Sequence, residues 1–487
     1  MNITEIAVFV VYLACMLGIG VYFFMHKKDG GDKQYFLGGR SMSPWVAALS
    51  AGASDMSAWV LMGLPASVYA LGLGQAWIAI GLALGYAISW IYEAPRLRAF
   101  SVEFGDSITV PQYLTNRFLS NSKALQIFCA LVFLIAYTIY AASSIKAAGI
   151  LFNTVAGMET ASAMYLAAFI IVGYTFLGGF DAVCWTDFFQ GLIMLGAMLV
   201  APLFAVTMIP ANAGADIPPA FWSFTADWRD IVSGLTWGLG YFGMPHIIIR
   251  YMSLESQKDM KKSLAIAISW TTIICFFAIV IGVVGRMFLG FDETINKNSL
   301  VFISMVRNIF PALISGVLLS AILAAAMSTA DSQLLAAASS FASDVYKPVF
   351  RGGKVSDKEM MWMGRIVVLV IALAAMFIAL NPNSGSIMSL VSNAWGVFGA
   401  AFGPAIMLSL FWKKFNFTGA ITGIVVGSFV DIFWFMQLSS TGVYELLPGY
   451  VAGVVAGIVA TLCSGSVSEE VMQKYDVAEK KAFSGED

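Results

Sequence analysis

Apolar runs about as long as a bilayer is thick recur along the whole chain, separated by short polar connections. Thirteen such windows, numbered here as spans 1 to 13, fall at 4–25, 44–69, 72–95, 124–153, 160–180, 184–208, 230–252, 263–287, 309–343, 362–381, 388–412, 416–437 and 446–464. In hydrocarbon an open segment can satisfy its backbone N–H and C=O groups only as a helix. The pattern therefore predicts an all-α polytopic membrane protein of about 13 transmembrane helices, a single transmembrane domain over 1–464 with a short polar tail, 465–487.

Lysine and arginine fix the expected orientation, because cationic flanks are retained in the cytoplasm. With the N-terminus outside, 22 of the 27 fall in cytoplasmic connections, from Lys27 and Lys28 to Lys480 and Lys481. Only Arg229, Arg286, Lys297 and Arg307 fall opposite, and Lys146 lies within span 4, where its stem can snorkel to the headgroups. The expectation is a multi-pass protein of the inner or plasma membrane with a cytoplasmic C-terminus. Spans 2–6 (approximately 44–208) and 7–11 (approximately 230–412) then form two blocks of five. Five is odd, so the blocks enter from opposite sides, as in carriers built from inverted repeats.

Composition narrows the function classes. Hydrophobic residues make up 59% of the 487 and charged residues 11%, with a mean hydropathy of +0.81, which excludes a water-soluble core. A net charge of -2 gives no basic field for nucleic acid. Two histidines, His26 and His246, do not suffice for a multi-histidine metal enzyme, and the five cysteines lie in or beside apolar stretches as small hydrophobes. There is no GxxxxGK[ST] loop for nucleotide hydrolysis and no nucleophile with a histidine base, so an enzyme is not expected. No cofactor and no obligate protein partner is called for. Met1–Glu5 lacks the positive region of a secretory signal, so span 1 is expected to remain.

The first spans of both blocks are interrupted by small residues. Span 2 reads Ser50-Ala51-Gly52-Ala53-Ser54-Asp55-Met56-Ser57-Ala58-Trp59, and span 7 reads Trp237-Gly238-Leu239-Gly240-Tyr241-Phe242-Gly243-Met244-Pro245-His246. Glycines also serve close helix packing, but matched interruptions point to unwound turns whose free carbonyls can hold a cation, with half-helix N-termini turned toward a carboxylate. Asp55 lies near mid-membrane, where a carboxylate is costly without a partner; the alternative is an N-cap for the helix resuming at Met56. In span 9, Ser328 and Thr329 follow an alanine-rich face and could lend two neutral oxygens or bond back to the preceding turn. Asp187 and Asp331 add carboxylates toward the cytoplasmic ends of spans 6 and 9. Trp59 and Tyr140 lie away from their span ends, which favours a pocket over an interfacial belt. No role is read for Asp431.

The runs Leu37-Gly38-Gly39-Arg40-Ser41, Leu49 to Ser57, Trp237 to His246 and Leu319 to Ala325 with Met327-Ser328-Thr329 resemble the sodium/solute symporter family, most of all its carriers of proline. The resemblance extends from span 1 through span 13 and fades in the tail. It implies a LeuT-type fold of thirteen helices with a five-plus-five inverted repeat. It also implies Na+-coupled symport of L-proline into the cell by alternating access, with Na+ as the coupling ion. By the same resemblance, Ala53, Met56 and Ala325 would hold Na+ through their carbonyls and Ser328 and Thr329 through their hydroxyls, with Asp55 important to coupling. Ser57, Trp59, Tyr140, Trp237, Tyr241 and Pro245 match proline-binding positions, and Arg40 and Asp187 match positions that affect ion release. Three residues depart from the pattern: Ala58 stands where a glycine is common, Met244 where proline carriers have glutamine, and Asp331 where a neutral residue is usual. The last, with Asp187, Ser328 and Ser332, resembles a second sodium site. The alternatives are a Na+ symporter for another small amino acid or carboxylate, and a membrane solute sensor, for which the short tail leaves little room.

Overall fold

The structure, a computed structural model, describes residues 2–26, 31–177, 179–211, 213–214, 216–225 and 227–485; Lys27 and Lys28 of the charge tally lie outside the described residues. Among these the chain is helical throughout, with one isolated backbone bridge, between Met42 and Leu254, and no sheet. Among the described residues, ten helices are long and apolar enough to cross a bilayer. The three remaining windows differ for physical reasons. Span 5 is a shorter helix, Thr160–Leu177, and spans 2 and 7 are each broken into two halves.

Span 2 starts where Ser43 caps the helix Pro44–Asp55 by accepting the N–H of Val46. It breaks at Met56 (φ -78, ψ 72) and Ser57, then resumes through the π-helical turn Trp59–Gly63 into Leu64–Leu71, which Gly72 ends at φ 87. Span 7 runs Trp228–Thr236, tightens to a 3-10 segment over Trp237–Phe242, opens at Gly243 and Met244, and restarts at Pro245 as Pro245–Ser253. Proline at N1 is placed where its missing N–H costs nothing. Span 3 crosses as one kinked unit, Ala76–Ile88 and Ala94–Glu103 joined by the π-helical turn Ser89–Glu93, with Pro95 just beyond.

Span 9 (Ala312–Ser340) and span 11 (Ile387–Phe411) are the most deeply buried crossings. Around them stand span 4 (Ala124–Ala156), span 6 (Phe180–Val206) and span 8 (Met260–Leu289), with span 10 (Asp357–Leu380) turning Leu369, Val370 and Phe377 outward. Small residues set the close crossings. A Cβ on Gly52 would stand 2.7 Å from the Trp270 ring, and Gly85 of span 3 packs on the backbone of Gly238 in span 7.

The tail differs from the sequence expectation of a polar end. Residues Glu469–Ser484 form a helix, capped by Ser468, whose buried Val471, Tyr475, Ala478 and Ala482 make one apolar stripe. It docks beneath spans 3 and 11: Arg96 pairs with Glu479 at 2.8 Å, the Tyr475 hydroxyl donates to the Leu410 carbonyl at 2.8 Å, and Gln257 donates its amide to the Ala482 carbonyl at 2.7 Å.

Candidate ion and solute site

The two helix breaks face each other in the interior. The Tyr241 hydroxyl from span 7 donates to Asp55 Oδ2 at 2.5 Å, and the Trp59 and Trp237 rings lie 6.0 Å apart. Asp55 is fully buried, and its Oδ1 has no hydrogen-bond partner among the described residues. Its carboxylate therefore does not cap the resumed half-helix, as one reading of the sequence had it. The Asp55 backbone carbonyl instead accepts the Ser57 N–H at 2.8 Å, the Trp59 indole N–H at 3.3 Å and the Tyr140 hydroxyl at 3.4 Å. Ser57 takes the cap role, accepting the Trp59 N–H at 3.4 Å.

Span 9 closes the other side of the break. The Ser328 hydroxyl donates to the Ala53 carbonyl at 2.8 Å and to the Ala325 carbonyl at 3.3 Å. Thr329 is buried beside it, its Oγ1 without a hydrogen-bond partner among the described residues. Of the expected ion positions, Ser328 is thus within hydrogen-bond reach of both the Ala53 and the Ala325 carbonyl; Thr329, next to it in sequence, and Met56, three residues after Ala53, are also buried. An unspent hydroxyl oxygen, an unspent carboxylate oxygen and unwound carbonyls form a hard-oxygen environment suited to an alkali cation. No group of three or more His, Cys, Asp or Glu placed to hold a metal ion occurs among the described residues.

The aromatic positions assemble around the same break. Trp237 stacks on Tyr444 at 5.2 Å and on Trp395 at 6.3 Å, and Trp395 donates its indole N–H to the Trp237 carbonyl at 2.9 Å. Tyr241 meets Tyr86 edge-on at 4.8 Å and Trp395 at 5.1 Å. Tyr140 is buried against His246, and Pro245 opens the inner half of span 7. The sequence reading missed Trp395 and Tyr444, which lie far from Trp237 along the chain and carry no local signal.

Below the break lies a second cluster. Asp187 Oδ2 accepts from the Ser50 hydroxyl at 2.7 Å, the Ser332 hydroxyl at 3.2 Å and the Arg250 guanidinium at 3.1 Å. Arg250, counted from the sequence among cytoplasmic flanking charges, is 1% exposed; it also donates to the Ser50 hydroxyl at 3.1 Å, the Ser332 hydroxyl at 2.5 Å and the His246 carbonyl at 2.5 Å. One guanidinium thereby ties spans 2, 6, 7 and 9. Asp331 is buried one residue before Ser332, so its side chain leaves span 9 about 100° round the helix axis. Arg40 stands apart. It pairs with Asp106 at 2.9 Å and donates to the carbonyls of Ser107, at 2.9 Å, and Met252, anchoring the segment before span 2. In the connection between spans 3 and 4, burial alone would raise the Asp106 carboxyl, but its bonds to Lys33 and Arg40 hold it below the usual carboxylate range.

The model of the sodium:solute symporter family matches residues 35–427. The chain is 40% identical to the high-affinity proline transporter PutP of Bacillus subtilis, over 95% of this chain and 98% of that one. It is also 40% identical to the osmoregulated proline transporter OpuE of the same organism, over 96% and 97%, and to sodium/proline symporter 2 of Staphylococcus saprophyticus, over 92% and 90%. Among solved structures it resembles a Na+-coupled sialic acid symporter in a substrate-bound outward-open state, with a TM-score of 0.79 and 23% identity over 96% of this chain and 98% of that one. It also resembles MhsT in complex with L-phenylalanine, with a TM-score of 0.57 and 16% identity over 87% and 98%. These neighbours give a LeuT-type transporter fold.

Proposed function

This chain belongs to the sodium:solute symporter family, and from that premise and the geometry of its broken helices we propose that it carries L-proline and Na+ together into the cell by alternating access. The observation that carries the reading is the bridge from Ser328 in span 9 to the Ala53 carbonyl at the break of span 2, beside the unspent Asp55 Oδ1 and Thr329 Oγ1. Proline is favoured over other solutes because relatives 40% identical over nearly the whole chain are named as proline carriers.

In this reading Na+ displaces the Ser328 hydrogen bond at the Ala53 carbonyl, the hydroxyl keeping its proton and turning its oxygen to the ion, and takes oxygens from Ala53, Met56, Ala325, Ser328 and Thr329, with Asp55 supplying negative charge nearby. Proline lies against Ser57, Trp59, Tyr140, Trp237, Tyr241 and Pro245, its ring on the aromatic faces. One charge crossing 100 mV supplies about 2.3 kcal/mol, enough for roughly fifty-fold accumulation. The proposed topology has thirteen crossings, blocks 44–208 and 230–412 as inverted repeats, the N-terminus outside and the tail 465–487 in the cytoplasm. Arg250 already neutralises Asp187, which favours a single Na+ per cycle: a second ion at Asp187 and Ser332 would have to displace the guanidinium. Arg40 bears on ion release only through the segment it anchors.

The test is uptake by the purified chain in liposomes, with unlabelled pantothenate, sugars and short monocarboxylates as competitors. L-proline should accumulate only under an inward Na+ gradient and should resist these competitors. Accumulation of another solute without proline would overturn the substrate, and proline uptake indifferent to the gradient would overturn the coupling.

A further inference from the structure

A cavity of about 320 Å3 opens between the connection that follows span 6 and the end of span 8, on the face that the charge bias assigns to the outside. Its volume lies at the lower end of the range for small-molecule pockets. None of the residues around the helix breaks lines it. Its walls include Pro210, Ile217, Phe288 and Phe291, and it holds two charges, Arg286 and Asp216.

Arg286 is the unusual member. Its guanidinium carbon lies 4.3 Å from the centre of the Phe291 ring and 5.7 Å from that of Tyr69. Its Nη1 is buried without a hydrogen-bond acceptor, and no carboxylate among the described residues pairs with it. Asp292, nearby in sequence, is engaged elsewhere, its Oδ1 accepting the N–H groups of Thr294 and Ile295 at 2.7 and 3.2 Å. A buried donor left unmade is costly. A planar donor fork set against aromatic rings matches a carboxylate with an apolar body, and Asp216 in the same cavity matches an ammonium.

We propose that this cavity is a second solute site, which binds a zwitterionic amino acid through its carboxylate at Arg286 and its ammonium at Asp216, independently of Na+. Its occupancy bears on the outer half of span 2. Tyr69, in that half-helix, donates its hydroxyl to the Gly290 carbonyl at 2.5 Å and accepts the Asp292 N–H at 2.7 Å, so it is bonded to the same corner that presents Arg286.

The choice of L-proline as probe rests on the transport reading; the site itself does not. Equilibrium binding of radiolabelled L-proline to the purified chain in a sodium-free, low-salt buffer should be saturable. Arg286→Gln should weaken it about tenfold or more, the loss of one charge-assisted hydrogen bond, and Asp216→Asn should weaken it measurably. Propionate should compete and pyrrolidine should not. Binding that is absent without sodium, unchanged in Arg286→Gln, or displaced as well by pyrrolidine as by proline would overturn the proposal. Elution profile and thermal unfolding monitor folding of each variant, and Arg286→Lys, which keeps charge but loses the fork, should bind with intermediate affinity. Failure of the transport reading would appear separately, as wild-type liposomes that take up no proline under a sodium gradient.

Discussion

At the scale of single residues, the hydroxyl and carboxylate oxygens around Ala53 carry the account. Ser328→Ala removes the side-chain hydrogen bond from span 9 to the Ala53 carbonyl at the break of span 2. It should raise the Na+ concentration for half-maximal uptake about tenfold, with the fold retained, as the loss of one oxygen ligand requires. The Arg250–Asp187 pair should behave differently, because both partners are buried. Arg250→Gln or Asp187→Asn alone should destabilise the detergent-purified protein by about 3–5 kcal/mol, and the two together by clearly less than the sum, which a double-mutant cycle of thermal unfolding reads directly. Outside the spans, the partly exposed Lys33 and the buried Arg40 depress the Asp106 carboxyl, so Asp106 contributes stability above the unfolded carboxylate range and loses it as the pH falls through its own lower value. Asp106→Asn should cost a fraction of a kcal/mol near neutral pH, since the Asp106 side chain is half exposed, and the difference from wild type should vanish on acidification. Asparagine also tolerates the local φ of 47.

At the scale of elements, the sequence made the interruptions legible and left their partners obscure. Gly52, Ala53, Gly238, Gly240 and Gly243 announce unwound or closely packed turns because nothing else explains small residues in an apolar span. The pairing of span 2 with span 9 was accessible only through the family resemblance, since Ser328 and Ala53 lie far apart along the chain. Arg250 was misread because a position two residues from a span end looks like a flank, when the broken helix carries that end inward. The tail helix was missed because its stripe, Val471, Tyr475, Ala478 and Ala482, is narrow within a charged segment. The close crossings are sensitive to a single methyl group. Gly52→Ala, whose Cβ would stand 2.7 Å from Trp270, should lower stability by about 1–3 kcal/mol in thermal unfolding and slow transport, because span 8 must shift to admit it.

At the scale of the whole molecule, hydropathy gives the fold class and charge asymmetry gives the proposed orientation, neither of which depends on any one contact. A maleimide that cannot cross the membrane should label Lys297→Cys in intact cells and leave Lys354→Cys unlabelled until the cells are opened; the reverse pattern would invert the topology. The tertiary argument is more demanding, since it requires the two broken helices and span 9 to work as one device in which ion and solute travel together. Liposomes containing the chain, with equal Na+ on both sides and an inward L-proline gradient, test this directly when the movement of radioactive sodium is followed. The account predicts that proline drags sodium inward and that Ser328→Ala with Thr329→Ala abolishes this. Proline moving down its gradient with no accompanying sodium would contradict it.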